Sequence, residues 1–331
     1  MTRILTEADV QALADMRLAL EAVTIAFGSL GAGVGRNVPR ERLFPPPTDG
    51  VPTSLQVMSA TVPELDAMGL KAYGTGATGA SFVVLLFRAS TGELRGIVGA
   101  DWLGRYRTGA ATGVAARLLA RPDSRSLAIL GAGGQAITQA LAVVTALPGI
   151  RHIRVWNRTD AHALTFSDRL HAVGSVATSH VEVVPAASPE GAMSGADIVV
   201  AITSARTPVL RGAWLADGMH VTGAGINRGN VAEIDAAAVR RADLVAVDHL
   251  ESARREAGDL ILAAEAGAFN WERAAEVGSI MSGAHTGRTS PSQITLFESQ
   301  GIAAEDVAFA ALLLDRAEAV GRGQVTSLGL A

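Results

Sequence analysis

Apolar residues recur at helical spacing near both ends of the chain and once between them. Over residues 6–30 they lie three and four positions apart, which predicts one amphipathic helix, and residues 6–9 resemble a capping box at its start. The Ala-rich segment 106–120 predicts a second helix that ends before Pro122. Residues 303–320 repeat the amphipathic pattern and predict a long helix close to the C-terminus.

Strand-like runs occupy the segment before the second of these helices. The runs Gly69–Tyr73, Ser81–Arg88 and Leu94–Val98 have the length and apolar content of strands. A turn signal at residues 91–93 predicts a hairpin between the last two runs. Residues 31–62 are rich in Gly and Pro, so they predict loops and short strands.

From about Arg125 onward, strands alternate with helices. The predicted strands are Ser126–Leu130, Ile153–Trp156, Val181–Val184, Ile198–Thr203, Met219–Gly223 and Leu244–Asp248. Helices are predicted over Gln135–Ala146 and Ala161–Ala172, between the first three of these strands. Such alternation predicts an α/β fold with a doubly wound parallel sheet.

Composition and charge exclude several classes of function. The 331 residues, 49% hydrophobic, suffice for two domains, and the net charge of -4 without a basic stripe argues against nucleic-acid binding. The chain has no Cys, and its seven His show no metal-ligand spacing, so no metal site is expected. The N-terminus does not resemble a signal peptide, and no apolar run approaches the ~20 residues of a membrane span. These features predict a cytoplasmic protein that does not contact membranes.

A glycine-rich motif follows the first strand of the alternating region. It has the form G-x-G-x-x-A and opens a helix, with the residues Gly131, Gly133, Gly134, Gln135 and Ala136. The first Gly suits a tight turn, the second lets a pyrophosphate approach the backbone, and the helix N-terminus offers N–H donors. In this strand–helix context the motif predicts a dinucleotide site.

The end of the next strand indicates which dinucleotide binds. A site for NAD usually places an acid there to bind the ribose 2′-hydroxyl. This chain has Asn157, Arg158 and Thr159, with no acid before Asp160. An Arg can pair with a 2′-phosphate, so NADP(H) is favoured and NAD(H) remains possible.

Lys71 is the one lysine of the chain, since the other 27 of the 28 Lys and Arg residues are Arg. Arg stays protonated, whereas a desolvated Lys can release its proton and act as an acid or base. A position that keeps an amine in an otherwise Arg-only chain is therefore a candidate catalytic residue. The alternative is that an Arg-rich composition left one Lys by chance.

Several segments, taken in order, resemble the ornithine cyclodeaminase/μ-crystallin family. The likeness covers nearly the whole chain. Each matching segment is weak evidence by itself, but the full set in this order is specific to the family. The matching segments include 107–112, 119–122, 155–159, 196–203, 208–210, 223–227, 233–235, 242–248, 287–289, 294–297 and 301–306.

The resemblance implies a Rossmann domain inserted into a mixed α+β domain that binds substrate and forms a homodimer. The inserted domain would span residues 120–302. The substrate and dimerisation domain would comprise residues 1–119 and 303–331. Cofactor contacts are then implied, beside the glycine-rich motif, at Thr108, Thr203, Gly225 and Ile226.

The resemblance also implies a substrate site. Lys71 and Arg107 fall on the family's substrate-binding Lys and Arg, and Arg40 resembles a second carboxylate-binding Arg. Arg42 is close enough in sequence to contest the place of Arg40. Arg forks grip carboxylates, and a Lys beside two guanidinium groups should have a depressed pKa.

Two positions depart from the cyclodeaminase branch of the family. Asn227 stands where cyclodeaminases carry a proton-accepting Asp, and Gln56 stands where they carry an acid near the substrate amine. An amide does not titrate near neutrality, so neither residue can replace the acid. The reductases and amino-acid dehydrogenases of the family tolerate a neutral residue at the position of Asn227.

The sequence therefore predicts an NAD(P)H-dependent reductase of a small imino acid, or the reverse dehydrogenation. Arg107, Lys71 and Arg40 would bind the carboxylate, Lys71 would also donate a proton, and Asn227 would orient the imine nitrogen. Two alternatives are open: a cyclodeaminase-type lyase that uses bound NAD, and a non-catalytic, crystallin-like protein that binds the cofactor.

Overall fold

The structure, a computed structural model, describes residues 1–46 and 50–329, without the side chains of 175–177. Two compact units emerge: Met1–Arg107 with Ile302–Ala331, and Thr108–Gly301. Residues 47–49, inside the segment predicted as loops and short strands, and residues 330–331 lie outside the described part.

The secondary-structure elements are numbered in chain order. The strands are β1 (Thr2–Leu5), β2 (Arg36–Leu43), β3 (Ser54–Val62), β4 (Ala67–Gly76), β5 (Gly79–Arg88), β6 (Leu94–Gly99), β7 (Ser126–Leu130), β8 (His152–Trp156), β9 (Glu182–Pro185), β10 (Ile198–Ala201), β11 (His220–Gly223), β12 (Leu244–Val247), β13 (Ala274–Glu276), β14 (Thr295–Glu298) and β15 (Gln324–Thr326). The α-helices are α1 (Glu7–Leu13), α2 (Met16–Gly31), α3 (Asp101–Leu119), α4 (Gly134–Ala146), α5 (Asp160–Leu164), α6 (Phe166–Thr178), α7 (Pro189–Met193), α8 (Ala236–Arg241), α9 (Leu250–Glu256), α10 (Gly258–Glu265), α11 (Val277–Met281) and α12 (Ala303–Ala319).

The first unit is built on a mixed sheet with the strand order β15-β1-β6-β5-β4-β3-β2. Strand β1 pairs parallel with β6, and the other pairs are antiparallel, including the predicted β5–β6 hairpin. Helix α12 packs against β3, β4 and α2. Because side chains alternate along a strand, one sheet face meets this helix and the other face does not.

Two predictions for the first unit are wrong. Residues 6–30 form two helices: α1 ends at Leu13, and Asp15 caps α2 by accepting a hydrogen bond from the backbone N–H of Leu18. The capping box is confirmed: the Thr6 side chain accepts from the Asp9 backbone N–H, and the Asp9 side chain accepts from the Thr6 backbone N–H. Residues 31–62 contain two long strands, β2 and β3, although Pro39 lies within β2. Proline is tolerated there because β2 is an edge strand with an irregular register.

The second unit is a Rossmann fold. Its parallel sheet has the strand order β13-β12-β14-β11-β10-β7-β8-β9, so the strand order reverses between β7 and β10. Ligands of doubly wound sheets bind at such a switch point, beyond the carboxyl ends of the strands. All six predicted strands exist. The predicted helix 161–172 is divided into α5 and α6, and β13 and β14 were not predicted.

The division between the two units falls inside a helix. Arg107 ends one unit and Thr108 begins the other, and both belong to α3. The sequence predicted the domain boundary between residues 119 and 120, which is where α3 ends. That boundary stays a prediction.

Candidate active site

A buried cluster of charges lies in the first unit, on the sheet face that meets α12. Lys71 sits in the middle of β4, between Met58 of β3 and Val84 of β5, and it is 3% exposed. Both neighbours are buried apolar residues, so an apolar residue would also be expected at this position of the strand. The sheet therefore delivers a lone amine into the core beside the helix.

Two carboxylates of α12 receive the cations. Lys71 Nζ lies 2.9 Å from Asp306 Oδ1, and Arg107 Nε donates to the same oxygen at 3.2 Å. Arg107 Nη1 also donates to Glu305 Oε2 at 2.8 Å. One carboxylate oxygen thus fixes the amine and the guanidinium side by side. Both acidic side chains are fully buried.

Arg40, rather than Arg42, is the strand β2 arginine that joins this cluster. Arg40 is 8% exposed, and its charge affects both Lys71 and Asp306. Arg42 instead donates to Gln56 Oε1 at 3.2 Å. With Lys71 protonated, three buried cations face two carboxylates, which leaves one positive charge in excess and suits a ligand with a single carboxylate.

The cluster shifts the titration of its own members. Burial lowers the pKa of Lys71, Asp306 opposes this shift, and the Arg107 charge adds to it. Burial alone would raise the pKa of Asp306, but the charges of Arg107 and Lys71 outweigh it and hold that pKa below its usual value. The result is an ionised carboxylate beside an amine that releases its proton more readily than usual.

The surroundings of the amine are shaped to admit it. A Cβ at Gly104 of α3 would lie 3.0 Å from Lys71 Nζ, so any larger residue at this helix position would crowd the amine. On another side, Nζ lies 5.3 Å from the ring centre of Phe82, a favourable cation–π distance. Helix, strand and ring together restrict where the amine can point.

Gln56 lies close to this cluster in the sheet but is held by other partners. Its Oε1 accepts hydrogen bonds from Tyr73 Oη at 2.6 Å and from Arg42 Nε at 3.2 Å. Its Nε2 donates to Ser54 Oγ at 3.3 Å. A carbonyl oxygen has two lone pairs, so the Gln56 oxygen is already saturated and cannot receive a substrate amine without losing a partner.

The glycine-rich loop of the second unit fits a dinucleotide. Gly131 has a φ of 107°, which favours glycine, and a Cβ there would collide with the backbone of Ile202. No side chain caps the first turn of α4. A Cβ added at Gly133 would meet no atom within 4 Å, so space is open beside the N–H donors of this helix. This is the arrangement that binds a pyrophosphate.

Two side chains hold this loop in place. Asn157 Oδ1 accepts from the Ala132 backbone N–H at 2.9 Å, while its Nδ2 donates to the Thr159 carbonyl. Arg169 of α6 donates to the carbonyls of Ala132 and Gly133. Arg158 is exposed next to them. Asn157 therefore shapes the loop, whereas Arg158 is accessible to a ligand.

A second group of predicted residues follows the neighbouring strands β10 and β11. Thr203 lies just after β10, and Gly225, Ile226 and Asn227 lie just after β11. The two strands pair in parallel, so their carboxyl ends meet at one edge of the sheet. This edge is the one that carries the glycine-rich loop after β7, which pairs with β10.

Comparison with known proteins agrees with this fold. The sequence model of the ornithine cyclodeaminase/mu-crystallin family matches residues 1–321. The chain belongs to this family. A Delta(1)-pyrroline-2-carboxylate reductase of Bacillus cereus is 34% identical over 81% of this chain and 83% of its own. The ketimine reductase mu-crystallin of Mus musculus is 34% identical over 70% of this chain and 68% of its own.

A solved family structure is similar over almost the whole chain. It is the Delta(1)-pyrroline-2-carboxylate reductase of Thermococcus litoralis in complex with NADH and L-proline. Its TM-score is 0.89 at 28% identity, and the match covers 98% of this chain and all of the other.

The structure brings some of the predicted residues together. Lys71, Arg107 and Arg40 share one cluster, while Asn227 belongs to the other compact unit. Sequence reasoning missed the partners Asp306, Glu305, Tyr73 and Arg169. The two acids open the apolar helix α12 and are fully buried there. Buried acids on an apolar helix are rare unless they are paired, so this pattern was the available signal.

Two features are absent from the part of the chain that the structure describes. No helix there is long and apolar enough to cross a membrane. Within the same residues, no group of three or more His, Cys, Asp or Glu side chains is arranged to hold a metal ion.

Proposed function

We propose that this protein is a nicotinamide-dinucleotide-dependent reductase of a small imino acid, or catalyses the reverse dehydrogenation of the amino acid. The observation that carries the proposal is the buried cluster of Arg40, Lys71 and Arg107, with its one titratable amine and, while that amine is protonated, one more positive charge than the two carboxylates of α12 balance. The reductase relatives and the NADH-bound family structure support the same reaction.

Each residue of the first cluster has a role in this reaction. The guanidinium groups of Arg107 and Arg40 bind the substrate carboxylate, and the ammonium group of Lys71 adds a third contact. The bound carboxylate brings the imine within reach of Lys71 Nζ. This ammonium group has a lowered pKa and donates a proton as the C=N bond is reduced. Asp306 holds Lys71 and Arg107 in place during this step.

The second unit holds the cofactor in this proposal. The loop of Gly131, Gly133, Gly134, Gln135 and Ala136 binds the pyrophosphate, with Thr108 beside it, and the nicotinamide end lies along Thr203, Gly225 and Ile226. When bound, the cofactor supplies or accepts the hydride at the α-carbon of the substrate. Asn227 orients the imine nitrogen through its amide.

Arg158 makes NADP(H) the favoured cofactor, and NAD(H) remains possible. The Asn157 amide is occupied in shaping the loop, which leaves Arg158 and the Thr159 hydroxyl for a 2′-phosphate. Arg158 is exposed, as a residue that meets a phosphate from solvent must be.

A homodimer is also part of the proposal. The sheet face opposite α12 carries half-buried apolar side chains from neighbouring strands, among them Leu70, Leu85 and Phe87. A second copy can cover this face, since apolar patches of this kind mark association surfaces.

The saturated oxygen of Gln56 argues against the lyase alternative. A diamino acid needs an acceptor for its second amine, and neither Gln56 nor Asn227 supplies a carboxylate.

A substrate assay tests the reductase assignment. We expect the protein to oxidise NAD(P)H when it is given pyrroline-2-carboxylate, piperideine-2-carboxylate or iminosuccinate, and the loss of NAD(P)H absorbance measures this oxidation. Ornithine, assayed for ammonia and proline, should give no product. Proline formation faster than imine reduction would contradict the reductase assignment. Tight dinucleotide binding without turnover of any imine would indicate a binding protein.

A further inference from the structure

Among the buried carboxyl groups of the second unit, four have no role in the proposed reaction and lie close to one another. They belong to Glu233, Asp248, Asp259 and Glu298, and each is at most 2% exposed. Carboxyl groups are rarely buried without a partner, so each of these must be matched by donors. One of them, Glu233, bonds directly to the loop of residues 223–227, which contains the cofactor and substrate residues proposed above.

Glu233 bridges the two loops that follow β10 and β11. Its Oε2 accepts from the Thr203 backbone N–H at 2.8 Å and from Thr203 Oγ1 at 2.9 Å. Its Oε1 accepts from the Gly225 backbone N–H at 2.7 Å. One carboxylate therefore holds both loops, and each bond is of the stronger, charge-assisted kind.

The two loops are packed directly against each other at this point. A Cβ at Gly225 would lie 2.3 Å from the Thr203 carbonyl oxygen and 2.6 Å from Glu233 Oε2. Only glycine fits there. The position of Asn227, two residues later, thus depends on the close contact that Glu233 stabilises.

Asp259 holds the backbone of Glu233, and Asp248 holds Gln300, which contacts the same loop. Asp259 Oδ1 accepts from the Glu233 N–H at 2.7 Å and the Ile234 N–H at 2.8 Å. Asp248 Oδ2 accepts from the backbone N–H groups of Gln300 and Gly301, each at 2.7 Å. The Gln300 amide, turned to satisfy its neighbours, donates to the Ile226 carbonyl at 3.1 Å.

Protonation lets these carboxyl groups share one interior. Burial, followed by the charges of Asp259, Glu233 and Asp248, raises the pKa of Glu298 well above its usual value. Burial and the neighbouring Glu233 raise the pKa of Asp259 to about 7. Glu298 therefore holds a proton more readily than an exposed Glu does. Burial also raises the pKa of Glu233, and the hydrogen bonds from Thr203 and Gly225 oppose this shift. A proton on Glu298 removes one like charge from beside Glu233 and so favours the carboxylate that its three donors bind.

We propose that Glu233 is a positioning residue, whose carboxylate sets the geometry of the Thr203 and Gly225–Asn227 loops for the nicotinamide end of the cofactor. This inference rests on the proposed function, because it assumes that a dinucleotide binds at this edge of the sheet. It assigns no contact between Glu233 and the substrate.

Glu233→Gln tests the proposal, because a Gln amide presents a donor to one of the two loops where the carboxylate presents an acceptor. Glu233→Asp is a second variant, which keeps the charge but is too short to bridge both loops. Asp235→Asn is the matched control. Asp235 also accepts from two backbone N–H groups, those of Gly212 and Ala238, and it caps α8 with them instead of bridging the two loops.

Three measurements decide the outcome. In both Glu233 variants, hydrogen–deuterium exchange should be faster in peptides covering 203–205 and 224–227, and it should be unchanged there in Asp235→Asn. NADH should bind roughly tenfold more weakly to the Glu233 variants, while ADP-ribose, which lacks the nicotinamide ring, should bind as it does to wild type. The kcat should fall more than the KM changes.

Unchanged exchange in 224–227 in the folded Glu233 variants would overturn the positioning role, whatever the enzyme reduces. Equal weakening of NADH and ADP-ribose would also overturn it, because a general loss of structure would explain that result. Failure of the wild type to bind either nucleotide would instead refute the proposed function, and the exchange measurement would still decide the role of Glu233 in the loops.

Discussion

At the scale of single residues, the central feature is a lysine at a position where an arginine would supply the same positive charge. Lys71 contacts Asp306 inside the core, next to Arg107. Burial lowers the pKa of Lys71. An Arg at this position would stay protonated at any working pH and could not donate a proton. The lone lysine of the chain is therefore placed where it can give up a proton.

Lys71→Arg separates the two roles of this residue. If Lys71 donates a proton, the kcat should fall by ~10²–10⁴, the usual contribution of a positioned acid. The wild-type rate should decrease as the pH rises through the lowered pKa of Lys71, because only the protonated amine donates, and the variant should lack this limb. Steady-state kinetics across pH would show it. Arg105→Lys, on the partly exposed side of α3, serves as the control. A variant with unchanged kcat and pH profile would reduce Lys71 to a carboxylate anchor.

Two arginines near the glycine-rich loop should respond differently to truncation. Arg158→Ala should weaken NADPH binding by ~1–3 kcal/mol and leave NADH binding nearly unchanged, because only NADPH carries the 2′-phosphate. Arg169→Ala should weaken both cofactors alike, since Arg169 holds the carbonyls of Ala132 and Gly133. Fluorescence titration of each reduced cofactor measures both effects. Equal losses in Arg158→Ala would argue against a 2′-phosphate contact.

At the scale of elements, β4 shows how one strand serves two surfaces. Lys71 points toward α12, so its neighbour Leu70 points to the opposite face of the sheet, beside Leu85 of β5. The first face holds the proposed substrate cluster. The second is apolar and only half buried, which is why we propose it as the dimer interface.

Leu70→Glu tests this interface. A charge in the middle of the apolar face should prevent two copies from associating, since burying it unpaired is costly. Light scattering should then report a particle of 34.0 kDa, the mass of one chain, in place of a dimer. Val320→Glu, at an exposed position after α12, should leave the dimer intact. A Leu70→Glu protein that is still dimeric would place the interface elsewhere.

At the scale of the whole molecule, the buried carboxyl groups make stability depend on pH. Burial, with a further contribution from Glu233, raises the pKa of Asp259 from 3.8 to about 7. Between these values the folded state keeps a proton that the unfolded state has released. The stabilisation is therefore complete below about pH 4 and is lost as the pH rises through about 7.

Asp259→Asn should flatten this dependence. The amide keeps an oxygen that can accept from Glu233 and Ile234 but cannot titrate. Between about pH 5 and pH 8, the free energy of unfolding should fall by roughly 2 kcal/mol less in the variant than in wild type. Denaturant unfolding at several pH values measures this difference. Asp235→Asn should retain the wild-type dependence, and identical slopes in all three proteins would show that Asp259 does not hold a proton in the folded state.

The sequence alone determined the features that depend on neighbouring residues. The alternation of strands and helices predicted the parallel sheet, and the glycine-rich motif was placed correctly because a tight turn and an open helix N-terminus are local properties. The same holds for the capping box at Thr6. The lysine was conspicuous by composition, and the ordered family motifs predicted the family that the comparison confirmed.

The tertiary structure decided what depends on residues far apart in the chain. Lys71 and Asp306 are separated by 235 positions, so no local pattern could pair them. Strand β14 enters the sheet between β11 and β12, out of chain order, and two of its four buried residues, Thr295 and Glu298, are polar, which local sequence does not mark as a core strand. Long-range pairing also turned residues 36–43 into an edge strand despite Pro39. Local sequence sets the elements, but only packing decides which side chains share a buried interior and must be matched in charge.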